Sequence, residues 1–293
     1  MLRDPAVALQ WAMQYPQAQV YLWLHDLHPL GSSRARVLTN LLPEIARVDM
    51  TLVVASDFLK MQLQQVLAAA GFEHLRLERI YNPVVVPKFP SREVDLDQLV
   101  FFSSPHKGIE TAVNVFGGLH RKLKSLRLLV ANPGYFPSAV INARGVTTLG
   151  PLPKAAILGH VQSSLCTLYP NYVYAETFGL VLAESNAVGT PVITHAIGAA
   201  PEILADERQL IRIPKGRMRL DAIQRRVPWL RGATEALYSR LGGYNGFIDR
   251  LVSWRSGSRP VVGPRPEFGL ERVVGEWSVL VGPPTGSLRG GSI

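Results

Sequence analysis

The chain has 293 residues, 47% hydrophobic and 18% charged, enough for a sizeable core in one large or two ordinary domains, and wholesale disorder is excluded. Its single cysteine, Cys166, excludes an internal disulfide and fits a reducing, cytoplasmic compartment. The net charge of +9 leaves three readings of the basic residues open: a solvated surface, a face for an anionic membrane or ligand, or a nucleic-acid patch.

The opening run MLRDPAVALQWAMQY lacks the regions of a secretory signal, and no apolar run of about 18 residues predicts a membrane span. Residues 19–24 (QVYLWL) read as a strand ending in His25-Asp26, followed by a helix over 35–48. A buried strand over 50–55 leads to Ser56, which caps a helix over 57–70 that Gly71 stops. A short strand over 77–81 closes at Asn82-Pro83. The proline cluster NPVVVPKFP and the acidic run after it then predict a stiff linker between two domains. A second series alternates strands over 99–103, 125–131, 145–149, 165–169 and 191–195 with helices over 108–123, 154–162 and 179–188. Beyond residue 204 the pattern weakens, with helical patches over 220–227 and 234–241. A last helix is predicted over 268–280, before a tail expected to be disordered. Arg208, Arg212, Lys215, Arg217, Arg219, Arg225 and Arg226 crowd this last third. They lack interleaved aromatics and any zinc-finger or RNP pattern, so no nucleic-acid partner is expected. Cys166 lies in the apolar run SSLCTLY and reads as a small core residue.

The densest chemical signal is residues 174–204, YAETFGLVLAESNAVGTPVITHAIGAAPEIL. A strand leads through a loop holding Glu176 to a helix that starts near Thr177–Gly179, with Glu184 eight positions after the first glutamate. Free amides at a helix start attract phosphate, and Gly179 lets a ligand approach closely. A carboxylate inside such a helix is suited to paired ribose hydroxyls. The spacing of two glutamates is weak evidence alone. The whole run, with Gly189-Thr190-Pro191 and the small turn Gly198–Ala200 before Pro201-Glu202, is more specific.

This stretch resembles the donor-site motif of the retaining glycosyltransferases of family GT4, also called group 1. Their Glu, Phe-Gly, second Glu, Gly-x-Pro-Val and Gly-x-x-Glu positions correspond to Glu176, Phe178-Gly179, Glu184, Gly189–Val192 and Gly198 through Glu202. Further segments agree in order: Ile80–Pro83 with the end of the family's first domain, Ser103–Gly108 with its Lys-Gly loop, and Val146–Gly150 with Pro153-Lys154 with a later turn.

The resemblance implies an α/β fold of GT-B type, two Rossmann-like domains facing a cleft, the N-terminal one truncated. It divides the chain into an acceptor-side domain over 1–87, a donor domain over 88–267, a closing helix over 268–281 and a tail over 282–293. It implies Glu176 and His25 as catalytic residues and Lys107, Gly108, Thr177, Phe178, Gly179, Leu180 and Glu184 as donor-binding residues. In it, Glu184 takes the ribose and Lys107 the diphosphate, and neither metal nor cofactor is expected. Asp26 and His28 read as local turn and orienting groups.

The family's arginine five positions before the loop lysine is Phe102 here, so one diphosphate contact is missing or supplied elsewhere. The segments that precede the His-Asp element in the family are not found, so a shortened first domain is expected. The implied activity is sugar transfer from a nucleotide-diphospho sugar to a glycan or lipid-linked acceptor with retention, in the cytoplasm and peripherally at the inner membrane face. The alternative is a truncated, non-catalytic relative that binds nucleotide sugar or needs a partner chain. Epimerases and phosphorylases share the fold, and fold likeness does not separate them.

Overall fold

The computed structural model describes residues 3–282, apart from residues 27, 91, 106, 133–140, 173, 215, 218–225 and 228–230. The expectations on the helical patch over 220–227 as far as residue 225, on Lys215, Arg219 and Arg225, and on the tail after Gly282 lie outside the described residues. The chain forms two compact units. One holds Met1–Val85 with Arg265–Ile293, the other Val86–Pro264.

The first unit is built on three parallel strands, β1 (Tyr21–Leu24), β2 (Thr51–Val54) and β3 (Leu77–Arg79), in the order β1-β2-β3. Alternation along a strand sends successive side chains to opposite faces. Leu22 and Leu24 of β1 therefore join Leu52 and Val54 of β2 against α1 (Pro5–Gln14), α2 (Ser33–Arg47) and α3 (Asp57–Ala69). Tyr21, Trp23 and Val53 point the other way. They meet Val273, Trp277 and Leu280 of the chain's last helix, Leu270–Val281. The closing helix is thus part of the first unit, and the Tyr21 hydroxyl donates to the Leu280 carbonyl at 3.0 Å. Ser32 and Ser56 start α2 and α3 by accepting hydrogen bonds from the amides of Ala35 and Leu59. The first helix, α1, has no sequence prediction. Asp4 caps it through the amides of Ala6 and Val7.

The second unit carries six parallel strands: β4 (Asp95–Phe102), β5 (Arg127–Asn132), β6 (Val146–Pro151), β7 (Ser164–Tyr169), β8 (Val192–His195) and β9 (Leu210–Ile211). Their order is β6-β5-β4-β7-β8-β9. The chain runs outward from β4 through α4 (Ile109–Lys122), β5 and β6. It then returns by α5 (Lys154–Gln162) to place β7 on the other side of β4. Winding therefore reverses between β4 and β7, and such a switch point is where open α/β sheets bind ligands, at the carboxyl ends of the strands. Next come α6 (Leu180–Ala187), β8, α7 (Ala200–Ile203) and β9, and then α8 (Arg231–Arg240), α9 (Asn245–Ser253) and the last helix, α10 (Leu270–Val281).

One expectation is corrected. Asp95–Gln98, read as linker from its acids, is the first half of β4. Asp95 pairs with Arg127 of β5, and Asp97 with Arg255 from the turn after α9 at 2.8 Å. Partners distant in sequence neutralise the charge that suggested a solvated segment. The fully buried Cys166 sits mid-strand in β7, where burial pushes its thiol well above the ordinary range.

The short edge strand β9 is secured by a buried amide network. Gln209 Oε1 accepts from the Val192 amide and from Asn186 Nδ2, both at 2.8 Å, and Gln209 Nε2 donates to Asn186 Oδ1 at 3.1 Å. Replacing Gln209 by Leu leaves the Val192 amide and the Asn186 side chain short of partners. It should cost about 2–4 kcal/mol, read as a lower urea midpoint. A loss below about 0.5 kcal/mol would show that the network does not secure this edge.

Candidate functional site

The two loops that leave the sheet at the switch point carry Lys107, Gly108, Glu176, Thr177, Phe178 and Gly179. β4 ends at Phe102, and the following turn runs to Lys107 and Gly108, where α4 starts. β7 ends at Tyr169, and its loop runs through Glu176 to Gly179, where α6 starts. Gly108 has φ +106°, and a Cβ there would lie 3.3 Å from Asn171 Cα, so the two loops touch backbone to backbone at a point only glycine fits.

Lys107 and Glu176 meet in a two-pronged ion pair. The ammonium donates to both carboxylate oxygens, at 2.9 and 3.1 Å. Glu176 is the more enclosed partner, its side chain 14% exposed against 32% for the lysine. The Tyr169 hydroxyl donates to Glu176 Oε1 at 2.5 Å. Burial and the neighbouring Glu176 carboxylate push the Tyr169 phenol well above its ordinary range, so it stays a donor. The Glu176 backbone is held too. Its carbonyl accepts from the Ala199 amide at 2.8 Å, and Gly198 approaches so closely that a Cβ would lie 2.7 Å from both Glu176 N and O. The small turn Gly198–Ala200 is therefore the seat on which Glu176 rests. Asn171 braces the loop, donating to the Tyr174 carbonyl at 2.6 Å and accepting from its amide at 3.2 Å.

α6 begins at Gly179, at φ +89°, with no side-chain cap. Thr177, Gly179 and Leu180 lie in this turn beside Glu176, and Leu180 is exposed. The Phe178 side chain is buried at 2% exposure, so only its backbone is placed to meet a ligand. Glu184, in the second turn of α6, is buried and pairs with Lys154, the first residue of α5, at 2.6 Å. Burial raises the Glu184 carboxyl above the usual range, and the Lys154 ammonium partly opposes that shift.

His25 belongs to the first unit and follows β1. Its ring packs on Trp23 at 4.5 Å between centroids. Burial, then the charge of Arg3, lowers its pKa to about 4 against the opposing pull of Asp26, so the ring is neutral near pH 7. Asp26 pairs with Arg34 at 3.6 Å, and a His28 ring nitrogen lies 2.8 Å from the Asp26 carbonyl.

Two residues important here, Tyr169 and His195, are not singled out by sequence, and Lys154 enters there only as part of the Pro153-Lys154 turn, with no role. Tyr169 lay inside an apolar run. Lys154 carried a readable signal, since a cation at the first position of a helix opposes the macrodipole. His195 ends β8, buried between the rings of Tyr172 and Phe247, and hydrogen-bonds to the backbone of Asn171 and Pro170. It thereby supports the loop that carries Glu176.

Residues 103–225 match the family model described as glycosyl transferases group 1. A D-inositol 3-phosphate glycosyltransferase of Mycobacteroides abscessus is 46% identical over 44 residues, 15% of this chain and 10% of that protein. Among solved structures, the pneumococcal O-GlcNAc transferase GtfA, in complex with UDP and GlcNAc, superposes with a TM-score of 0.60 at 16% identity. That match covers 94% of this chain and 54% of GtfA. Anabaena HepE in complex with UDP-glucose gives a TM-score of 0.57 at 12% identity, covering 94% of this chain and 75% of HepE. Residues 103–225, within the second unit, are thus similar to group 1 glycosyltransferases, and the chain has the α/β fold of GT-B glycosyltransferases. It spans about half the length of GtfA. Among the described residues, no group of three or more His, Cys, Asp or Glu is placed to hold a metal ion, and no helix is long and apolar enough to cross a membrane.

Burial lowers the pKa of His195 to about 4. Between the ordinary value near 6.5 and about 4, the unfolded chain takes up a proton that the folded chain refuses, so stability falls as pH drops through that window and levels off below it. In His195→Gln the urea-derived stability should fall less steeply over this window than in the wild type. Identical slopes would show that His195 does not titrate this way.

Proposed function

We propose that the chain is a retaining glycosyltransferase whose second unit binds a nucleotide-diphospho sugar at the switch point. The observation that carries this reading is the Lys107–Glu176 pair, with Glu184 in the helix that follows. A cation, two helix starts and two carboxylates supply what such a donor needs: charge for the diphosphate, amides for its oxygens, and acceptors for sugar and ribose hydroxyls.

Lys107 is satisfied by Glu176 in the fold itself. On donor binding the diphosphate replaces the carboxylate as the partner of Lys107, and Glu176 is released to accept from sugar hydroxyls while Tyr169 still holds one of its oxygens. The lysine exchanges one anion for another and is never left bare. Glu184 accepts from the ribose. During reaction the bond from the anomeric carbon to the phosphate oxygen breaks, and its electron pair leaves with the nucleotide diphosphate. Lys107 and the amides at Thr177–Leu180 stabilise that charge, and no metal is invoked. The acceptor hydroxyl attacks the same face of the sugar and loses its proton to the departing phosphate, which preserves configuration without a carboxylate nucleophile.

His25 enters this reading through the family resemblance, as a neutral ring able to hydrogen-bond to a sugar hydroxyl. GtfA and HepE were solved with UDP and UDP-glucose, which supports a nucleotide sugar as the donor class. A glycan or lipid-linked acceptor, a cytoplasmic setting and peripheral contact with the inner membrane face complete the proposal.

Calorimetric titration with UDP, GDP and ADP sugars tests it. One of them should bind, and Lys107→Ala and Glu184→Ala should each weaken binding by about tenfold or more. Binding to none of the three, or affinity unchanged in both variants, would overturn the reading. Donor binding without donor hydrolysis or transfer across an acceptor panel would identify a non-catalytic binder instead.

A further inference from the structure

We infer that Lys154 is a positioning residue of the donor site, whose ammonium keeps the buried Glu184 carboxylate ionised and aimed so that it can accept from a nucleotide's ribose hydroxyls. The inference rests on the donor-site reading above and extends it to a residue outside the glutamate motif.

Three observations carry it. The first is geometric. Lys154 Nζ lies 2.6 Å from Glu184 Oε1, and the Glu184 side chain is 10% exposed while that of Lys154 is 58% exposed. The enclosed partner needs the pair, whereas the exposed lysine would be well solvated without it. The second is the placement of Lys154. As the first residue of α5, preceded by Pro153, it sits where the helix dipole favours an acid and disfavours a cation. A local rule broken in this way needs a compensating partner, and Glu184 is the one the fold supplies. The third is the poverty of Glu184's surroundings. The elements packed on α6 carry Lys154 and His160 on α5, Glu202 on α7 and His195 on β8. Among the described residues Lys154 alone acts on Glu184, both as hydrogen-bond donor and as charge, and it does so against the burial that favours protonation.

The chemistry follows. An ionised carboxylate offers acceptor capacity to two vicinal hydroxyls at once, whereas a protonated one must donate with one oxygen. With one oxygen held by Lys154, Glu184 still has its second oxygen and remaining lone pairs for the ribose. Without the ammonium, burial is unopposed, the carboxyl titrates higher than in the intact pair, and the donor site loses its acceptor sooner as pH falls.

The test uses UDP, GDP and ADP as probes, titrated calorimetrically from about pH 6 to about pH 9 against the wild type, Lys154→Met, Lys154→Arg and Glu184→Gln. Each unit by which the Glu184 pKa rises costs up to about tenfold in affinity at pH values below it. Lys154→Met should bind the preferred nucleotide about tenfold more weakly near neutral pH and recover toward the wild-type value as pH rises. Lys154→Arg should retain most of the affinity, and Glu184→Gln should be weak at every pH. Carboxyl-carbon NMR of Glu184 in ligand-free protein should show its pKa higher in Lys154→Met than in the wild type, a readout that needs no nucleotide. An unchanged Glu184 titration, or a Lys154→Met affinity loss that is the same at every pH, would overturn the inference. If the wild type binds no nucleotide while the NMR shift appears, the donor reading fails but the coupling of Lys154 to Glu184 stands.

Discussion

The ion pair between Lys107 and Glu176 is the constraint around which the second unit is arranged. Its partners lie 69 positions apart and meet because β4 and β7 are neighbours at the point where the winding of the sheet reverses. Each partner leaves the carboxyl end of its strand and precedes a helix start. A surface pair of this kind contributes little to stability. This one is half enclosed, two-pronged and reinforced by the Tyr169 hydroxyl, so it fixes where both loops end. Gly108, Gly198 and Asn171 then serve one purpose, letting backbones approach closely enough to hold that geometry.

Much of this was legible in the sequence, for a local reason. The run over residues 174–204 is contiguous, so its strand, loop, helix and small turn could be read in order, and with them Glu176, Gly179 and Glu184. The alternation of β1, the Ser caps of α2 and α3 and the buried run of β7 are likewise period and cap signals. What stayed hidden depends on partners far away. Asp95–Gln98 reads as linker until Arg127 and Arg255 are seen against it. The fates of Lys107 and Lys154 are settled by carboxylates 69 and 30 positions downstream. Phe178 looks like a ligand contact in the motif, but its ring fills the core. α9 and the turn after it lie in an Arg- and Gly-rich region with no clean period. They are held by Arg259, which donates to the carbonyls of Leu165 and Gly189 at 2.8 and 3.1 Å.

That role of Arg259 also bears on the charge. Several arginines of this basic chain are committed internally: Arg79 to Asp57 and Glu276, Arg127 to Asp95, Arg255 to Asp97 and Arg259 to backbone carbonyls. An arginine with a fixed partner in the fold adds little to an attractive surface field. The net charge is therefore a poor guide to the ligand here. The informative cations are the two lysines paired with enclosed glutamates, Lys107 with Glu176 and Lys154 with Glu184, since an anionic or polyhydroxylated ligand can compete for either member of each pair.

The central claim is that the Lys107–Glu176 pair lies in a diphosphate-sugar site, in which the carboxylate competes with the incoming phosphates for the lysine. The most direct measurement compares Glu176→Gln with the wild type for the nucleoside diphosphate alone and for the corresponding nucleotide sugar. Removing the competing charge should tighten binding of the free diphosphate by about tenfold and remove the additional affinity gained from the sugar. A variant that binds both ligands more weakly by the same factor, or both as well as the wild type does, would contradict the account.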